Sequence, residues 1–329
     1  MAHYNIGFDL GGTKMLAGLV DADLRVIETV KRKSKSEAGA EAVFQDIAGT
    51  LKELLEKSGK APEEIGAIGL SVPGILDRKK GLVVRTPNLG FSDFPLVARL
   101  KEHLPVPVIL ENDVNAGVWG EYVAGAARGY RHVLGVFPGT GIGGGLIING
   151  DLYLGAGGNA GEIGHMVIQW DGALCGCGQR GHIEALASRG AMAKEAAGLV
   201  ANGTLTGEYA QTGADIKAFS SKIFAQGIKE ENPHLTSIVD RAAEFLGVHI
   251  GGCLNLLNPE LVLIGGGLVE KLGDYYLKRI EKAMRSSAWD FVAQDAHIKA
   301  ATLGDHAGII GAADLARRAS ESKKGKTSV

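Results

Sequence analysis

The sequence predicts an α/β protein built from two domains, and three observations carry that reading. The chain has 329 residues, more than one ordinary hydrophobic core requires. Apolar runs of strand character alternate with runs at helical spacing. The alternation restarts near residue 131, and each half opens with a glycine hairpin: DLGGTKMLAGLVD at 9–21 and GTGIGGGLIINGD at 139–151. Their local similarity suggests a duplicated domain with a cleft between the copies.

The first half reads, in order, as strands at 3–10, 14–21 and 24–33, with Gly11 and Gly12 turning the first into the second. Residues 39–59 have helical spacing, stopped by Gly59 and Pro62. Residues 65–74 form a buried strand running into a Pro–Gly turn, 105–113 another strand, and 114–127 a helix that follows at once. In the second half, 131–139 and 142–150 are strands flanking a glycine turn, and 149–155 leads into a cysteine-bearing segment. Beyond Ser188 the chain is mainly helical, at 187–200, 214–227 and 234–257. A strand at 260–266, a helix from about 268 to 285, a strand at 297–304 and a helix at 306–319 complete the pattern. The polar tail from Glu321 is expected to fray.

Composition excludes several classes. A hydrophobic content of 45% with 22% charged residues is that of a soluble globular protein. The net charge of −2, with both signs interspersed, argues against nucleic acid or an anionic membrane as partner. Three cysteines, two of them one residue apart, do not make a disulfide framework and fit a reducing compartment. The N-terminus lacks the pattern of a signal peptide, and no apolar run reaches the ~18 residues of a membrane span. The expectation is a cytoplasmic protein. The 49 glycines, about twice the usual share, cluster in short loops beside apolar runs and read as tight turns.

The most informative segment is GNAGEIGHMVIQWDGALCGCGQRGHIE, residues 158–184. His165, Cys175, Cys177 and His182 supply four donors of the kind that closes a tetrahedral zinc site. Glu162 and Glu184 lie beside them, which suggests a built site for a polar small molecule. Cys253 and His249, in an apolar helical run, read as core residues. The turns at 9–14 and 139–145 offer consecutive backbone N–H groups that suit phosphate oxygens, or are simply tight hairpins. Neither is a P-loop or a Rossmann turn, because each continues into a strand where those motifs open a helix. Asp9, ending the first strand, could hold Mg²⁺ through waters or make an Asx turn. In ENDVNA, 111–116, Asn112 or Asp113 could cap the helix. Alternatively, Asp113 accepts a proton from an attacking hydroxyl while Asn112 orients the substrate.

In this order, DLGGTK, SVPG, PNL, ENDVNA, GTGIGGG, GNAGEIGH and CGCGQRGHIE resemble the ROK family of sugar kinases and regulators, across essentially the whole chain. The resemblance implies the actin-like, hexokinase-type ATPase fold: two RNase-H-like α/β domains around a cleft. The small domain would be 1–114 completed by the C-terminal helix at 306–329, and the large domain 115–305 with the zinc loop. It implies ATP-dependent phosphorylation of a hexose, glucose to glucose 6-phosphate, with Asp113 as catalytic base. Asn112, Glu162, His165 and Glu184 would contact the sugar, with Gly74 and Asn88 as weaker additions. His165 would serve zinc with one ring nitrogen and sugar with the other. Asp9, Gly11, Gly12, Thr13 and Lys14 resemble the first phosphate loop, and Gly139, Thr140, Gly141, Gly143 and Gly144 the second. Gly265, Gly266 and Gly267 match the adenosine-side turn. ATP, Mg²⁺ and structural Zn²⁺ are the implied cofactors, and a homodimer or homotetramer the implied assembly. The family pattern CGCGxxGCxE has cysteine where this chain has His182, so the expected zinc site is Cys₂His₂. The alternatives are an N-acetylhexosamine kinase (N-acetylmannosamine or N-acetylglucosamine) and a sugar-responsive repressor. The latter carries a winged helix before its DxGGT motif, for which this sequence leaves no room.

Overall fold

A computed structural model describes residues 4–326, apart from 13, 35 and 87. The chain forms two compact units. The first comprises Met1–Gly129, Leu152–Ala160 and Asp305–Val329, and the second Tyr130–Asp151 and Gly161–Gly304.

In the first unit the strands are β1 (Tyr4–Leu10), β2 (Lys14–Asp21) and β3 (Val26–Lys33), followed by helix α1 (Ala40–Ser58) and strand β4 (Ile65–Val72). Then come β5 (Ile75–Asp77), β6 (Leu82–Arg85), β7 (Ser92–Phe94), α2 (Leu96–His103), β8 (Val108–Asn112) and α3 (Asp113–Ala124). The main sheet has the order β3-β2-β1-β4-β8. β1, β2 and β3 are an antiparallel meander, while β4 and β8 run parallel to β1. β1 and β4 are central and buried on both faces, which explains their near-continuous apolar runs. Helix α1 buries Val43, Phe44, Ile47, Leu51 and Leu54 at helical spacing and stops at Gly59 in the left-handed region.

The second unit holds β9 (Val133–Pro138), β10 (Ile142–Ile148) and β11 (Asp151–Leu152). It continues through α4 (Glu184–Ala187), α5 (Arg189–Ala201), α6 (Ser221–Lys229) and α7 (Pro233–Leu257). β12 (Leu261–Ile264), α8 (Gly267–Leu272), α9 (Asp274–Ser287), α10 (Asp290–Ala293) and β13 (His297–Ala300) complete it. Its sheet order is β11-β10-β9-β12-β13, the first unit's topology over again, with parallel β12 and β13 in the places of β4 and β8. The duplication is therefore structural. Each unit has its own apolar core.

The chain ends in α11 (His306–Lys326), which returns to the first unit. Glycines let it approach closely. A Cβ added at Gly7 of β1 would lie 1.7 Å from the Ile309 carbonyl oxygen, and one at Gly69 of β4 1.9 Å from that of Ala312. A Cβ at Gly311 would meet the Ala116 carbonyl of α3 at 1.8 Å. The Trp119 indole N–H also donates to the buried Asp314 carboxylate at 2.9 Å. This packing keeps all of α3 with the first unit, so the break falls after Gly129 and not at 114.

Other expectations are corrected. The helix expected over 214–227 begins only at Ser221, because the Asp215 side chain accepts the Lys217 N–H and holds a short 3₁₀ turn instead. The helix expected over 268–285 is split at Gly273, whose φ is 55°. The tail does not fray at Glu321; α11 runs on to Lys326, with an Arg317–Glu321 pair at 3.0 Å along it. The sheet β5-β6-β7 and helix α2 had no counterpart in the sequence reading.

Candidate active site and metal centre

In the first unit, the β1–β2 hairpin places Asp9 at the end of β1, where the Ser71 hydroxyl of β4 donates to it at 2.8 Å. Burial pushes the Asp9 carboxyl above its ordinary range, against the opposing effects of Ser71 and the Lys14 charge. The first turn of α11 lies against it: a Cβ added at Gly308 would be 3.1 Å from Asp9 Cγ, so the carboxylate would have to give by a few tenths of an ångström. Gly11 closes the hairpin by donating its N–H to the Lys14 carbonyl at 2.9 Å. Lys14 points its ammonium to Asp305 at 2.6 Å, and Asp305 also accepts from Lys31 at 3.0 Å. These two lysines, Lys14 foremost, hold the Asp305 carboxyl below its usual range. Asn88 neighbours the hairpin, 3.7 Å from where a Gly12 Cβ would stand. Gly74 turns β4 into β5 with φ 105°. Thr13 lies outside the described residues.

ENDVNA forms the corner between β8 and α3. Asn112 is the N-cap; its Oδ1 accepts from Val114 N–H at 2.9 Å and Asn115 N–H at 3.2 Å. The capping expectation thus falls on Asn112, whose Nδ2 donates to no partner among the described residues. Asp113 is the half-buried first residue of α3. Behind the corner, buried Glu111 pairs with Arg78, a residue no motif pointed to.

In the second unit, residues 161–183 carry little regular structure. A 3₁₀ turn (Ile163–His165) and isolated bridges, Val167 to His182 and Leu174 to Arg180, fold the loop back on itself. The result gathers His165, Cys175, Cys177 and His182 with all four ligand atoms within 4.8 Å of one another. Cys175 Sγ is 3.8 Å from His165 Nδ1, and Cys177 Sγ is 3.3 Å from His182 Nδ1. Tetrahedral zinc with these donors has edges of about 3.4–3.8 Å. The donor set therefore fits the metal after a contraction of at most about 1.4 Å in any separation. Burial pushes the Cys175 thiol up to about 11. A bound cation reverses that cost by favouring the thiolate.

Glu184, at the start of α4, ties this loop to β10. Its Oε1 accepts from Cys175 Sγ at 3.4 Å, and its Oε2 from the Ile142 N–H at 3.0 Å. A Cβ at Gly141 would stand 2.3 Å from Glu184 Oε2, so a side chain there would displace the carboxylate from the Ile142 N–H. The second glycine turn narrows to Gly139–Gly141, since Gly143 and Gly144 are already in the β9–β10 ladder opposite Phe137 and Val136. Beside it, the Arg189 guanidinium donates to the Thr140 hydroxyl at 2.5 Å. Gly265–Gly267 lie close by in the same unit, with a Gly266 Cβ only 2.8 Å from the Pro138 carbonyl oxygen. The two turns expected on the nucleotide side are thus neighbours at one end of β9 and β12.

The sequence pattern of the ROK family matches residues 5–319. The chain belongs to the ROK family. It is 33% identical to a glucokinase of Halalkalibacterium halodurans over 95% of this chain and 94% of that protein. A glucokinase of Thermotoga maritima is also 33% identical, over 94% of this chain and 96% of its own length. Among solved structures, a ROK family glucokinase from Streptomyces griseus in complex with glucose and AMPPNP superposes with TM-score 0.82. It is 32% identical and covers 96% of this chain and 99% of its own. The actin-like, sugar-kinase fold of the family is the fold of this chain.

In this ROK chain, His249 of α7 has a part the sequence reading gave only to packing. The buried ring is hydrogen-bonded to the backbone of Ile163, in the turn that carries Glu162 and His165. Burial holds the imidazole below its ordinary value of 6.5 despite that bond. The folded chain therefore keeps His249 neutral while the unfolded chain takes up a proton as pH falls through 6.5. Stability should drop from that pH down to the folded value and level off below it. Urea midpoints at about pH 7 and about pH 5.5 test this: the acid loss should be smaller in His249→Asn than in the parent. An equal loss in both would remove His249 as a source. No helix among the described residues is long and apolar enough to cross a membrane.

Proposed function

We propose that this ROK protein transfers the γ-phosphoryl group of ATP to the 6-hydroxyl of glucose. The observation that carries the reading is its near-full-length match to glucokinases, one of them solved with glucose and AMPPNP bound. Asp113 takes the proton from the attacking hydroxyl, and Asn112 orients the sugar through Nδ2, its Oδ1 being engaged in the cap. Glu162, His165 and Glu184 hold further hydroxyls, with Gly74 and Asn88 as lesser contacts. In the first phosphate loop, which Thr13 and Lys14 complete, Gly11 closes the turn with its own N–H and leaves the Gly12 N–H for phosphate. In the second, Gly139 closes the turn and leaves those of Thr140 and Gly141, with Gly143 and Gly144 behind. Gly265–Gly267 face the adenosine. Stabilisation of phosphate charge by fixed donors, together with positioning, accounts for most of the rate in such transfers.

Asp9 is the residue we assign to Mg²⁺. A desolvated carboxylate beside a phosphate turn suits a cation that binds through one or two carboxylates, waters and substrate phosphates. Such an ion would neutralise charge on the transferred phosphoryl group. His165, Cys175, Cys177 and His182 are assigned to structural Zn²⁺, with four protein donors leaving no open position. With Nδ1 of His165 turned to the metal, Nε2 is left as the donor to sugar. Two thiolates and two neutral imidazoles make the site formally neutral. Cytoplasmic location and assembly as a homodimer or homotetramer rest on the family resemblance.

A hexose panel in a coupled ADP-release assay tests the substrate. Glucose should give the highest kcat/KM, and a higher value for N-acetylmannosamine or N-acetylglucosamine would overturn the choice. His182→Ala should lose its zinc by elemental analysis and bind glucose more weakly. Unchanged zinc would take His182 out of the ligand set.

A further inference from the structure

We infer that Arg78 is a positioning residue for the phosphoryl transfer: it holds the corner that presents Asn112 and Asp113, and the backbone at Gly158, on one guanidinium. The inference rests on the kinase reading above. Arg78 follows β5 in the turn toward β6 and belongs to none of the glycine, ENDVNA or cysteine motifs.

Its contacts use all three nitrogens of the guanidinium. Nε lies 3.1 Å from each oxygen of Glu111, and Nη2 donates to Glu111 Oε1 as well. Nη1 donates to the Gly158 carbonyl at 2.6 Å. Glu111 is only 4% exposed, so its charge needs a partner at close range. The same Oε1 accepts the Asn112 N–H at 2.8 Å and the Asn115 Nδ2–H at 3.0 Å. Arg78 thus fixes a carboxylate that in turn fixes both sides of the residue proposed as base. The other arm acts on 152–160, a segment that packs with the first unit although the chain on either side of it belongs to the second. Gly158 lies four residues before Glu162 in sequence. It has φ 81°, and a Cβ there would come within 2.9 Å of Arg78 Nη1. Glycine at 158 and arginine at 78 therefore belong together. A lysine would supply the charge but not the fork that reaches Glu111 and Gly158 at once.

The test compares Arg78→Lys with the parent in two backgrounds. With Asp113 intact, Arg78→Lys should keep its circular dichroism, zinc content and KM for ATP while kcat for glucose falls about 30-fold. In an Asp113→Asn background the same change should cost less than about threefold, because there is no base left to misplace. An equal fold-loss in both backgrounds would reduce Arg78 to general support and overturn the inference, as would full kcat in Arg78→Lys. A readout independent of turnover is amide hydrogen exchange. Residues 111–115 and 156–160 should lose protection together in Arg78→Lys, and unchanged protection in either segment also overturns the inference. If the parent phosphorylates no hexose, the kinase reading fails by itself, and the exchange result still decides whether Arg78 joins the two segments.

Discussion

Asp113→Asn should lower kcat for glucose by about 10³-fold, the middle of the range for removing a general base and equivalent to about 4 kcal/mol of barrier. The amide keeps the shape of the carboxylate and its place as the first residue of α3, but it cannot take a proton. Glucose affinity measured by calorimetry should stay within about threefold of the parent, and zinc content and melting temperature should not move. The loss therefore belongs in kcat, as expected for an interaction made in the transition state and not in the ground state. Full turnover in this variant would sink the assignment of Asp113 as base.

The second large effect concerns stability. Gly7→Val should destabilise the protein by about 3 kcal/mol or more, since a first side-chain carbon at this position would stand 1.7 Å from the Ile309 carbonyl oxygen. Backbone lies on both sides, so neither β1 nor α11 can yield by a rotamer change. Gly198→Ala makes the contrast. Gly198 lies within α5 with nothing within 4 Å of an added Cβ, and alanine there should gain roughly 0.5–1 kcal/mol of helix propensity. Urea unfolding of both variants checks the pair. A Gly7→Val protein as stable as its parent would mean that α11 does not close on β1 as described.

Much of the architecture was legible because it rests on long periodic runs and punctuating residues. The meander of β1 to β3, the cap at Asn112 and the 25-residue α7 between Asn232 and Asn258 are of this kind. The small sheet β5-β6-β7 was not legible, because its three strands have only three or four residues each, too few for a period to show. The helix break at Gly273 was missed because a lone glycine within a helical pattern is usually tolerated. The gathering of His165, Cys175, Cys177 and His182 could be read from spacing alone, since four donors within eighteen residues need only a loop that folds back. Glycines were harder. Gly141 and Gly144 belong to a turn that suits phosphate oxygens, yet a Cβ at Gly144 would also meet the Gly161 carbonyl and Ile163, and one at Gly141 would press on the Glu184 carboxylate. A glycine that makes room for a ligand looks the same in sequence as one that makes room for the protein. Arg78 gave no signal, because its partners lie 33 and 80 positions away.

The return of α11 to β1 and β4 also bears on how the molecule is made. A ribosome delivers the first sheet at the start of synthesis and its covering helix only at the end. At about 5–20 residues per second, the wait between Tyr4 and His306 is roughly 15–60 s. Throughout that interval the glycine-lined face of β1 and β4 has no cover, and the nascent chain must keep it from competing partners. The second unit, by contrast, has all its strands and helices in hand by Gly304 and can condense first. Release of the last helix is then the event that completes the first unit. Premature termination anywhere before His306 should send the nascent product to chaperones and proteases rather than leave a half-active enzyme.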